Sequence, residues 1–226
     1  MPLALGTCDV LLLAAFAPEL APLAAHLGEG LRARVGVHDV AARTVGIGLP
    51  RAAVGAANHI AILRPRTVVA IGTCGAYAAA PGELPLAIGD VVVGRRIRLV
   101  DRSAVAGAAQ FPDPMSIEIG AHGGLVEGLA QWGVRPVDVA TTLAITVDDT
   151  SSLEIARALG VHVEHLEAFG VGEACASRGV AFGAVFGVAN RVGPSAREEW
   201  KTHNRAAAAA AVAHVLRWLR ASGAPV

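Results

Sequence analysis

The sequence predicts an α/β fold in which a mixed, mostly parallel sheet lies between two layers of helices. Three apolar runs are typical of strands covered on both faces: VLLLAAF at 10–16, TVVAIG at 67–72 and VAFGAVFGVA at 180–189. Helical patterns alternate with these runs and with shorter strand patterns, which favours a three-layer α/β/α sandwich. No linker and no repeat of fixed period interrupts the pattern, so we expect a single domain over residues 1–226.

The remaining elements follow from turn residues and periodicity. In the first half, the sequence predicts a helix from Pro18 to about His26, strands over 35–40 and 43–47, a helix over 51–63, a loop of small residues over 73–83, a strand from 91 to about 100 and an irregular segment over 101–117. In the second half, it predicts a helix over 119–132, a strand over 136–143, a helix over 152–159, a short strand over 161–165, a helix over 167–178, a polar loop carrying 197–200 and an Ala-rich helix over 203–220.

Composition excludes several classes of protein. Hydrophobic residues make up 54% of the chain and charged residues 17%, which argues against disorder. Basic and acidic residues number 19 each, and this zero net charge argues against a nucleic-acid binder. A near-neutral, apolar chain favours a homo-oligomer, because some of its surface is then covered.

Cysteine usage and apolar runs indicate where the chain resides. Cys8, Cys74 and Cys175 are odd in number and widely spaced, with neither a disulfide framework nor zinc-ligand spacing. We therefore expect a reducing, cytoplasmic setting and no metal or cofactor. The run at 10–16 is too short to span a bilayer, and no basic segment precedes it, so we expect neither a membrane anchor nor a signal peptide.

Ligands of open α/β sheets bind at the carboxyl ends of the strands. That rule nominates residues 16–19, 72–77, 141–149 and 190–193. Glu19 directly follows the first apolar run and could accept a proton from water, although an acid also suits the first turn of a helix. Thr73 and Gly75 follow the second run, where a hydroxyl and backbone N–H groups can line a pocket or merely form a tight turn.

The segment 164–200 holds the densest set of functional side chains. Glu164 and Glu167 stand near the start of a predicted helix. A carboxylate there can accept hydrogen bonds from vicinal hydroxyls, or it can be a solvated acid that the helix dipole stabilises. Asn190 ends the third apolar run, and its amide can donate to or accept from a purine ring, or close a turn. Trp200, beside Arg197, either closes over a ligand or packs under a loop.

The two histidines of this segment, His165 and His203, have no visible partner in the sequence. Each could act as an acid or a base near neutral pH. We expect both instead to be solvated or bonded locally.

Taken together, these pieces resemble the nucleoside phosphorylase and nucleosidase superfamily, which includes purine nucleoside phosphorylases, methylthioadenosine/S-adenosylhomocysteine nucleosidases and futalosine hydrolases. The resemblance spans nearly the whole chain. Its motifs, in order, are LLLAAFAPELAPL, VGIGLPRAAVGAA, RPRTVVAIGTCGA, IGDVVV, VEHLEAFGVGEAC and FGVANRVG. It implies a nucleoside phosphorylase-like fold and a nucleoside as the small-molecule partner.

The resemblance also implies roles for single residues. Glu19 matches the glutamate that activates water in the hydrolases, and Glu167 matches the glutamate that binds the ribose hydroxyls, with Leu166 in place of the family's methionine beside the sugar. Asn190 replaces an aspartate that handles the purine N7. The futalosine hydrolases have an asparagine at this place, and the pattern that follows it here resembles theirs, with Val192, Gly193, Arg197 and Trp200.

Several departures from the family pattern bear on the nucleophile. Phe186 stands where the family commonly has an arginine, and Ala70 and Ile71 stand where phosphorylases hold phosphate with an arginine. The first strand is followed by Ala17-Pro18-Glu19 rather than a glycine-rich phosphate loop. Without a cationic cradle phosphate has little to bind, so water is favoured as the nucleophile.

The sequence therefore predicts an enzyme that hydrolyses the N-glycosidic bond of a purine-type nucleoside. Glu19 and Asn190 are the expected catalytic residues. The expected substrate-binding residues are Thr73, Gly75, Leu166, Glu167 and Trp200. Trp200 and the segment 101–117 are candidates for covering the ligand. Two alternatives stay open: a phosphate-dependent phosphorylase of the same fold, and a nucleoside-binding protein without catalysis.

Overall fold

The computed structural model describes residues 6–78, 83–221 and 223. In this part of the chain the strands are β1 (Val10–Ala14), β2 (Arg32–Val35), β3 (His38–Thr44), β4 (Thr67–Ala76), β5 (Val91–Val100), β6 (Glu118–Gly120), β7 (Arg135–Thr142), β8 (Val163–Glu164) and β9 (Ala181–Arg191). The α-helices are α1 (Ala17–Leu20), α2 (Ala24–Leu27), α3 (Leu49–Leu63), α4 (Arg102–Val105), α5 (Gly123–Leu129), α6 (Asp149–Leu159), α7 (Ala168–Ala176) and α8 (Ala196–Ala221). Single turns of 3-10 helix lie at Ala21–Leu23 and Gln131–Gly133.

These strands form one mixed sheet. β1 pairs in parallel with β3 and β4, and β4 pairs in parallel with β9. β5 is antiparallel to β9 and parallel to β7, while β8 is parallel to β7 and antiparallel to β4. Strands β4, β9, β5, β7 and β8 therefore form a closed circuit. The mixed sheet was predicted, whereas the closure was not, because it depends on β8, a strand of two residues.

Helices cover both faces of the sheet. Along β1, Leu11 and Leu13 face a core shared with α3 and α7, whereas Val10 and Leu12 face a core shared with α5 and α8. Successive side chains of a strand point to opposite faces, so an uninterrupted apolar run is what a doubly covered strand requires. The predicted three-layer α/β/α arrangement is confirmed.

Helix α8 lies unusually close to β9. A Cβ added at Gly187 would lie 2.1 Å from the carbonyl oxygen of Ala207 on α8. Any side chain at position 187 would push the helix off the sheet. The small residues of β9 and α8 thus set the position of the helix whose first turn reaches the candidate site.

Two strand and helix predictions were wrong. The expected strands at 35–40 and 43–47 are instead a hairpin in which Val35 pairs with His38 around Gly36, a glycine with φ of +60°. The helix expected over 119–132 begins only at Gly123, because Ile119 pairs with Ile97 in β6 and β5. In the first case the turn at Gly36 shifts the bounds of the strands, and in the second case strand pairing takes an apolar residue that would also suit a helix.

Two further predictions placed structured residues in loops. The loop expected over 73–83 begins later, because β4 continues to Ala76 with Gly75 paired to both Glu164 and Asn190; residues 79–82 of that loop lie outside the described part. The segment 101–117 contains α4, capped by Asp101, whose carboxylate accepts from the Ala104 N–H at 2.9 Å. None of the described helices is long and apolar enough to cross a membrane.

Candidate functional site

A cavity of about 490 Å³ opens at the carboxyl ends of β1, β4 and β9, beside β8 and the first turn of α8. Its walls combine three carboxylates with apolar side chains. The lining residues are Ala15, Phe16, Glu19, Ile47, Thr73, Cys74, Gly75, Ile145, Glu164, His165, Leu166, Glu167, Asn190, Arg197, Trp200 and Lys201. All seven residues predicted to form the site therefore meet in one cavity.

Glu19 is buried at the floor of this cavity. Its Oε1 accepts from the backbone N–H of Thr73 at 2.9 Å and from the Thr73 hydroxyl at 3.1 Å, and its Oε2 accepts from the Ala15 N–H at 3.2 Å. Burial raises the pKa of Glu19 to about 7, against the opposing effect of the Thr73 hydrogen bonds and with a further rise from the charge of Glu167. A carboxyl group with this pKa can take up and release a proton near neutral pH.

The position of the Glu19 carboxylate depends on Gly72. A Cβ at residue 72 would lie 2.7 Å from Glu19 Oε1 and 3.0 Å from its Cδ. These distances are shorter than any ordinary contact, so a larger residue would displace the carboxylate. Gly72 is thus required by the close approach of Glu19 to β4.

A chain of hydrogen bonds links Glu19 to α8. The Trp200 Nε1–H donates to the Thr73 hydroxyl at 3.1 Å, and that hydroxyl donates to Glu19. The Trp200 ring also lies 6.1 Å from the ring of Phe16, measured between centroids. Trp200 therefore fixes the hydroxyl rotamer of Thr73 and, through it, the orientation of the carboxylate.

Glu167 lines the cavity from the start of α7. Its Oε1 accepts from the backbone N–H of Gly48 at 2.7 Å, where α3 begins. Its Oε2 has no hydrogen-bond donor among the described residues, and Nδ1 of the neighbouring His165 lies 3.4 Å away. One carboxylate oxygen is thus anchored and the other is left for a ligand.

The contact between His165 and Glu167 is not an ion pair. His165 Nδ1 accepts the backbone N–H groups of Glu167 at 3.2 Å and Ala168 at 3.1 Å, so it carries no proton to donate. Burial lowers the pKa of His165, which keeps the imidazole neutral. Of the two predicted states of His165, solvated or bonded locally, the structure shows the second, and the residue additionally lines the cavity.

Glu164 is already saturated by protein donors. Its carboxylate accepts from the N–H of Thr146 at 3.0 Å, the hydroxyl of Thr146 at 2.6 Å and the hydroxyl of Tyr77 at 2.8 Å. These bonds fix the short strand β8 against its neighbours. Glu164 is a structural anchor of the cavity wall.

Asn190 faces Gly75 across β4 and β9. Its Nδ2 donates to the carbonyl of Arg191 at 2.9 Å, and a Cβ at Gly75 would lie 2.7 Å from that nitrogen. Gly75 therefore makes room for the amide at the cavity wall. The amide has further hydrogen-bonding capacity, because one N–H and the carbonyl oxygen have no partner among the described residues.

The polar loop predicted around 197–200 is wrong, because these residues form the first turn of α8. Glu199 accepts from the backbone and the guanidinium of Arg191, which ties the start of the helix to the end of β9. Arg197, Trp200 and Lys201 then share one helix face, as i, i+3 and i+4 positions do, and line the cavity.

The mouth of the cavity is apolar apart from this basic turn. Ile47 and Ile145 are more than half exposed, at 63% and 51%, and Leu166 is half-buried. No residue of 101–117 lines the cavity, so the expectation that this segment covers a ligand is wrong. Ile47 and Ile145 were missed because an isolated apolar residue in a loop carries no sequence signal of its own.

A family model described as the phosphorylase superfamily matches residues 9–220. No curated protein matches the chain in sequence. Among solved structures, the 5'-methylthioadenosine/S-adenosylhomocysteine nucleosidase of Neisseria meningitidis, in complex with methylthio-immucillin-A, is similar with a TM-score of 0.81 and 20% identity over 95% of this chain and 99% of that one.

Two further solved structures have the same fold. The S-adenosylhomocysteine nucleosidase of Streptococcus pyogenes, in complex with 5-methylthiotubericidin, is 19% identical over 97% of this chain and 98% of that one, with a TM-score of 0.81. A futalosine hydrolase mutant of Helicobacter pylori is 15% identical over 93% of this chain and 97% of that one, with a TM-score of 0.79. At these identities the similarity establishes the fold.

Proposed function

Because the chain belongs to the phosphorylase superfamily, we propose that it is a nucleosidase, an enzyme that hydrolyses the N-glycosidic bond of a purine-type nucleoside. The observation that carries this proposal is the convergence of Glu19, Glu167 and Asn190 on one cavity. The solved nucleosidases and the futalosine hydrolase of the same fold support it. A futalosine-type nucleoside is the proposed substrate class, since Asn190 stands where adenine-releasing relatives are expected to have an aspartate.

In the proposed reaction, the Glu19 carboxylate takes a proton from a water molecule as the oxygen attacks the anomeric carbon. The bond from that carbon to the base nitrogen breaks, and its electrons leave with the base. Asn190 donates a hydrogen bond to the departing base but keeps its proton, because an amide is not an acid at neutral pH. The base is therefore protonated from solvent, and Glu19 returns its proton when the free sugar leaves.

Glu167 binds the ribose in this proposal. Its free Oε2 can accept from a hydroxyl while Oε1 stays anchored on the Gly48 N–H. Thr73 and Gly75 line the sugar side, Leu166 packs against the ring, and Trp200 covers the ligand from α8. Positive charge that develops on the sugar in the transition state is stabilised by the nearby carboxylates.

The charges of the cavity favour water over phosphate as the nucleophile. Of the residues that line it, the basic ones are Arg197 and Lys201, which lie in the first turn of α8. Glu19 has hydrogen-bond donors from the protein but no basic side chain among its partners. Phosphate would meet carboxylates at the floor without a guanidinium to hold it.

A purified-protein assay tests the proposal directly. We expect base release from a purine nucleoside at the same rate with and without phosphate, and free ribose as the sugar product. If the protein instead forms ribose 1-phosphate, and only when phosphate is present, it is a phosphorylase and the hydrolase proposal is wrong.

A matched pair of variants tests the role of Glu19. Glu19→Gln should lower kcat by about 10²–10⁴-fold, because the base is removed, while it still binds a nucleoside. Glu127→Gln, an exposed position on α5, is the control and should leave kcat unchanged. If wild type and both variants bind nucleosides and none releases base, the chain is a nucleoside-binding protein without catalysis.

We further propose that the chain functions as a homo-oligomer in the cytoplasm. Leu143, Ile145 and Val147 are 69%, 51% and 60% exposed and follow one another along the segment after β7. An apolar ridge at the mouth of the cavity suits contact with a second copy. The cytoplasmic assignment is supported by Cys8, Cys74 and Cys175, which are free thiols.

A further inference from the structure

His165 combines burial with a hydrogen-bond donor that the protein leaves unused. The side chain is 6% exposed, and its ring stacks on Phe186 with centroids 4.0 Å apart and planes inclined by 25°. Stacking of this kind holds the ring plane fixed. A buried polar group in a fixed orientation normally has its hydrogen-bonding capacity satisfied.

The tautomer of this imidazole follows from its partners. Nδ1 accepts two backbone N–H groups at the start of α7, so in the neutral ring the proton resides on Nε2. Nε2 has no acceptor among the described residues. Since the ring lines the cavity, the Nε2–H is left for whatever the cavity holds.

The imidazole of His165 lies beside the carboxylate proposed to hold the ribose. His165 and Glu167 lie side by side, with 3.4 Å between Nδ1 and Oε2, and Oε2 is the carboxylate oxygen without a backbone anchor. One hydroxyl can donate its hydrogen to a carboxylate and accept from an N–H at the same time. The pair is suited to one hydroxyl group.

We propose that His165, through Nε2–H, donates a hydrogen bond to the same ribose hydroxyl that donates to Glu167, and so acts as a specificity-determining residue for ribonucleosides. This inference rests on the proposed function for the class of ligand. In this arrangement the ribose hydroxyl meets a donor, the His165 Nε2–H, in addition to an acceptor, the Glu167 carboxylate. The 2′- or 3′-deoxynucleoside that lacks this shared hydroxyl would leave both the N–H and the carboxylate unpaired in a buried site.

Two substitutions separate the two nitrogens of the ring. His165→Asn places a side-chain oxygen where Nδ1 accepts the helix N–H groups, as asparagine commonly does at helix starts, but it cannot reach as far as Nε2. His165→Gln places its amide N–H near Nε2 and gives up the helix-capping acceptor. His165→Asn should therefore keep the thermal stability of wild type and lose the contact to the ligand. His165→Gln should keep the contact to the ligand and lower the thermal stability.

The experiment measures KM for a ribonucleoside and its 2′-deoxy and 3′-deoxy counterparts with wild type and both variants. For the ribonucleoside, His165→Asn should raise KM roughly ten-fold, because the loss of one hydrogen bond to a buried partner has about this effect on binding. His165→Gln should have a KM close to that of wild type, because its amide N–H replaces the Nε2–H. With the deoxynucleoside that lacks the shared hydroxyl, the penalty of His165→Asn should disappear.

An equal penalty for all three nucleosides would overturn the inference, as would a His165→Asn variant with wild-type KM for the ribonucleoside. Failure of the proposed function gives a different result, namely no base release by wild type from any nucleoside. In that case, dissociation constants of the same three nucleosides are measured by calorimetry for wild type and both variants. The inference requires that His165→Asn weakens binding of the ligands that carry the shared hydroxyl and leaves binding of the other ligand unchanged.

Discussion

Glu19 shows how one residue can be tuned by competing contacts. Burial raises its pKa, and three donors from Ala15 and Thr73 act against that rise, with a resulting pKa of about 7. A carboxylate that was fully stabilised would be a poor base, and one without donors would stay protonated. The balance suits a group that has to accept a proton and then return it.

The activity of the enzyme should therefore depend on pH through Glu19. The proposed base acts when ionised, so kcat/KM should rise with pH up to about 7 and level off above it. The measurement is a profile of kcat/KM from pH 5 to 9 in buffers of constant ionic strength. A profile that is flat across pH 7 would contradict the assignment of Glu19 as the base.

The same residue should make folding stability depend on pH. A carboxyl group whose pKa is raised from 4.5 to about 7 on folding contributes stability below pH 4.5, which is lost as pH rises through 7. Glu19→Gln removes this dependence, so the free energy of unfolding of the variant relative to wild type should rise by on the order of 2–3 kcal/mol between pH 5 and pH 8.5. The loss of one backbone hydrogen bond to the amide is the same at both pH values and cancels in this comparison, which thermal unfolding at the two pH values measures.

Gly72 provides a second test at this scale. Gly72→Ala should displace the Glu19 carboxylate and lower kcat by roughly 10–100-fold, because a small misplacement of a reacting group is costly. Gly120→Ala is the control, since a Cβ there meets nothing within 4 Å. Equal kcat for wild type and both variants would show that the carboxylate tolerates the shift.

At the scale of elements, α8 is the helix that completes the cavity. Its first turn carries Arg197, Trp200 and Lys201, and the Arg191–Glu199 contacts join that turn to β9. Because the helix packs on β9 through Gly187, the sheet sets the position of the helix that carries this side of the cavity. The basic residues of this turn, Arg197 and Lys201, line the cavity beside Trp200.

We expect this turn to favour a nucleoside with an anionic 5′ substituent. Arg197→Gln should raise KM about ten-fold for a carboxylate-bearing nucleoside and leave KM for a neutral nucleoside unchanged, since it removes a charge at the mouth of the cavity. Arg205→Gln is the control, at an exposed position two turns further along α8. Parallel losses for charged and neutral substrates would contradict this expectation.

How much the sequence predicted depends on the range of the contacts. Strands β1, β7 and β9 and helices α3 and α6 were predicted to within a few residues, because local apolar patterns and turn residues define them. The start of α8 was missed, because Arg197, Glu198 and Glu199 are polar and the helix there is fixed by the contact of Glu199 to Arg191 at the end of β9. The stacking of His165 was also missed, since it depends on Phe186 from a different strand.

At the scale of the whole molecule, the closed circuit of five strands places the cavity at a fixed junction. Strand β8 joins β7 to β4, and Glu164 within it is held by Tyr77 and Thr146. Both neighbours of Glu164, His165 and the adjacent Val163, are buried. The circuit is therefore closed through a short strand that also positions the residues of the cavity.

Loss of one hydrogen bond at this junction should be measurable. Tyr77→Phe removes the hydroxyl that donates to the buried Glu164 carboxylate and should lower the free energy of unfolding by about 1.5–3 kcal/mol. Urea-induced unfolding measures this change. An unchanged midpoint would mean that the junction contributes little to stability.

The assembly state is a prediction for the whole molecule as well. We expect light scattering after gel filtration to give a mass above that of one chain, and Leu143→Asp to lower it, because a charge would then stand on the exposed apolar ridge. Lys201→Gln, a change on α8 outside that ridge, should leave the mass unchanged. A single-chain mass for the wild type would remove the case for an oligomer.

The order of the strands has a consequence for how the molecule is made. Strand β9 lies between β4 and β5, yet it is the last strand along the chain. Until it is synthesised, β4 and β5 each have one edge without its partner, and the backbone groups of that edge are open to pairing with other chains. Contacts between residues so far apart in sequence also form slowly. We therefore expect slow refolding and a need for protection of the nascent chain until residues beyond 191 have left the ribosome.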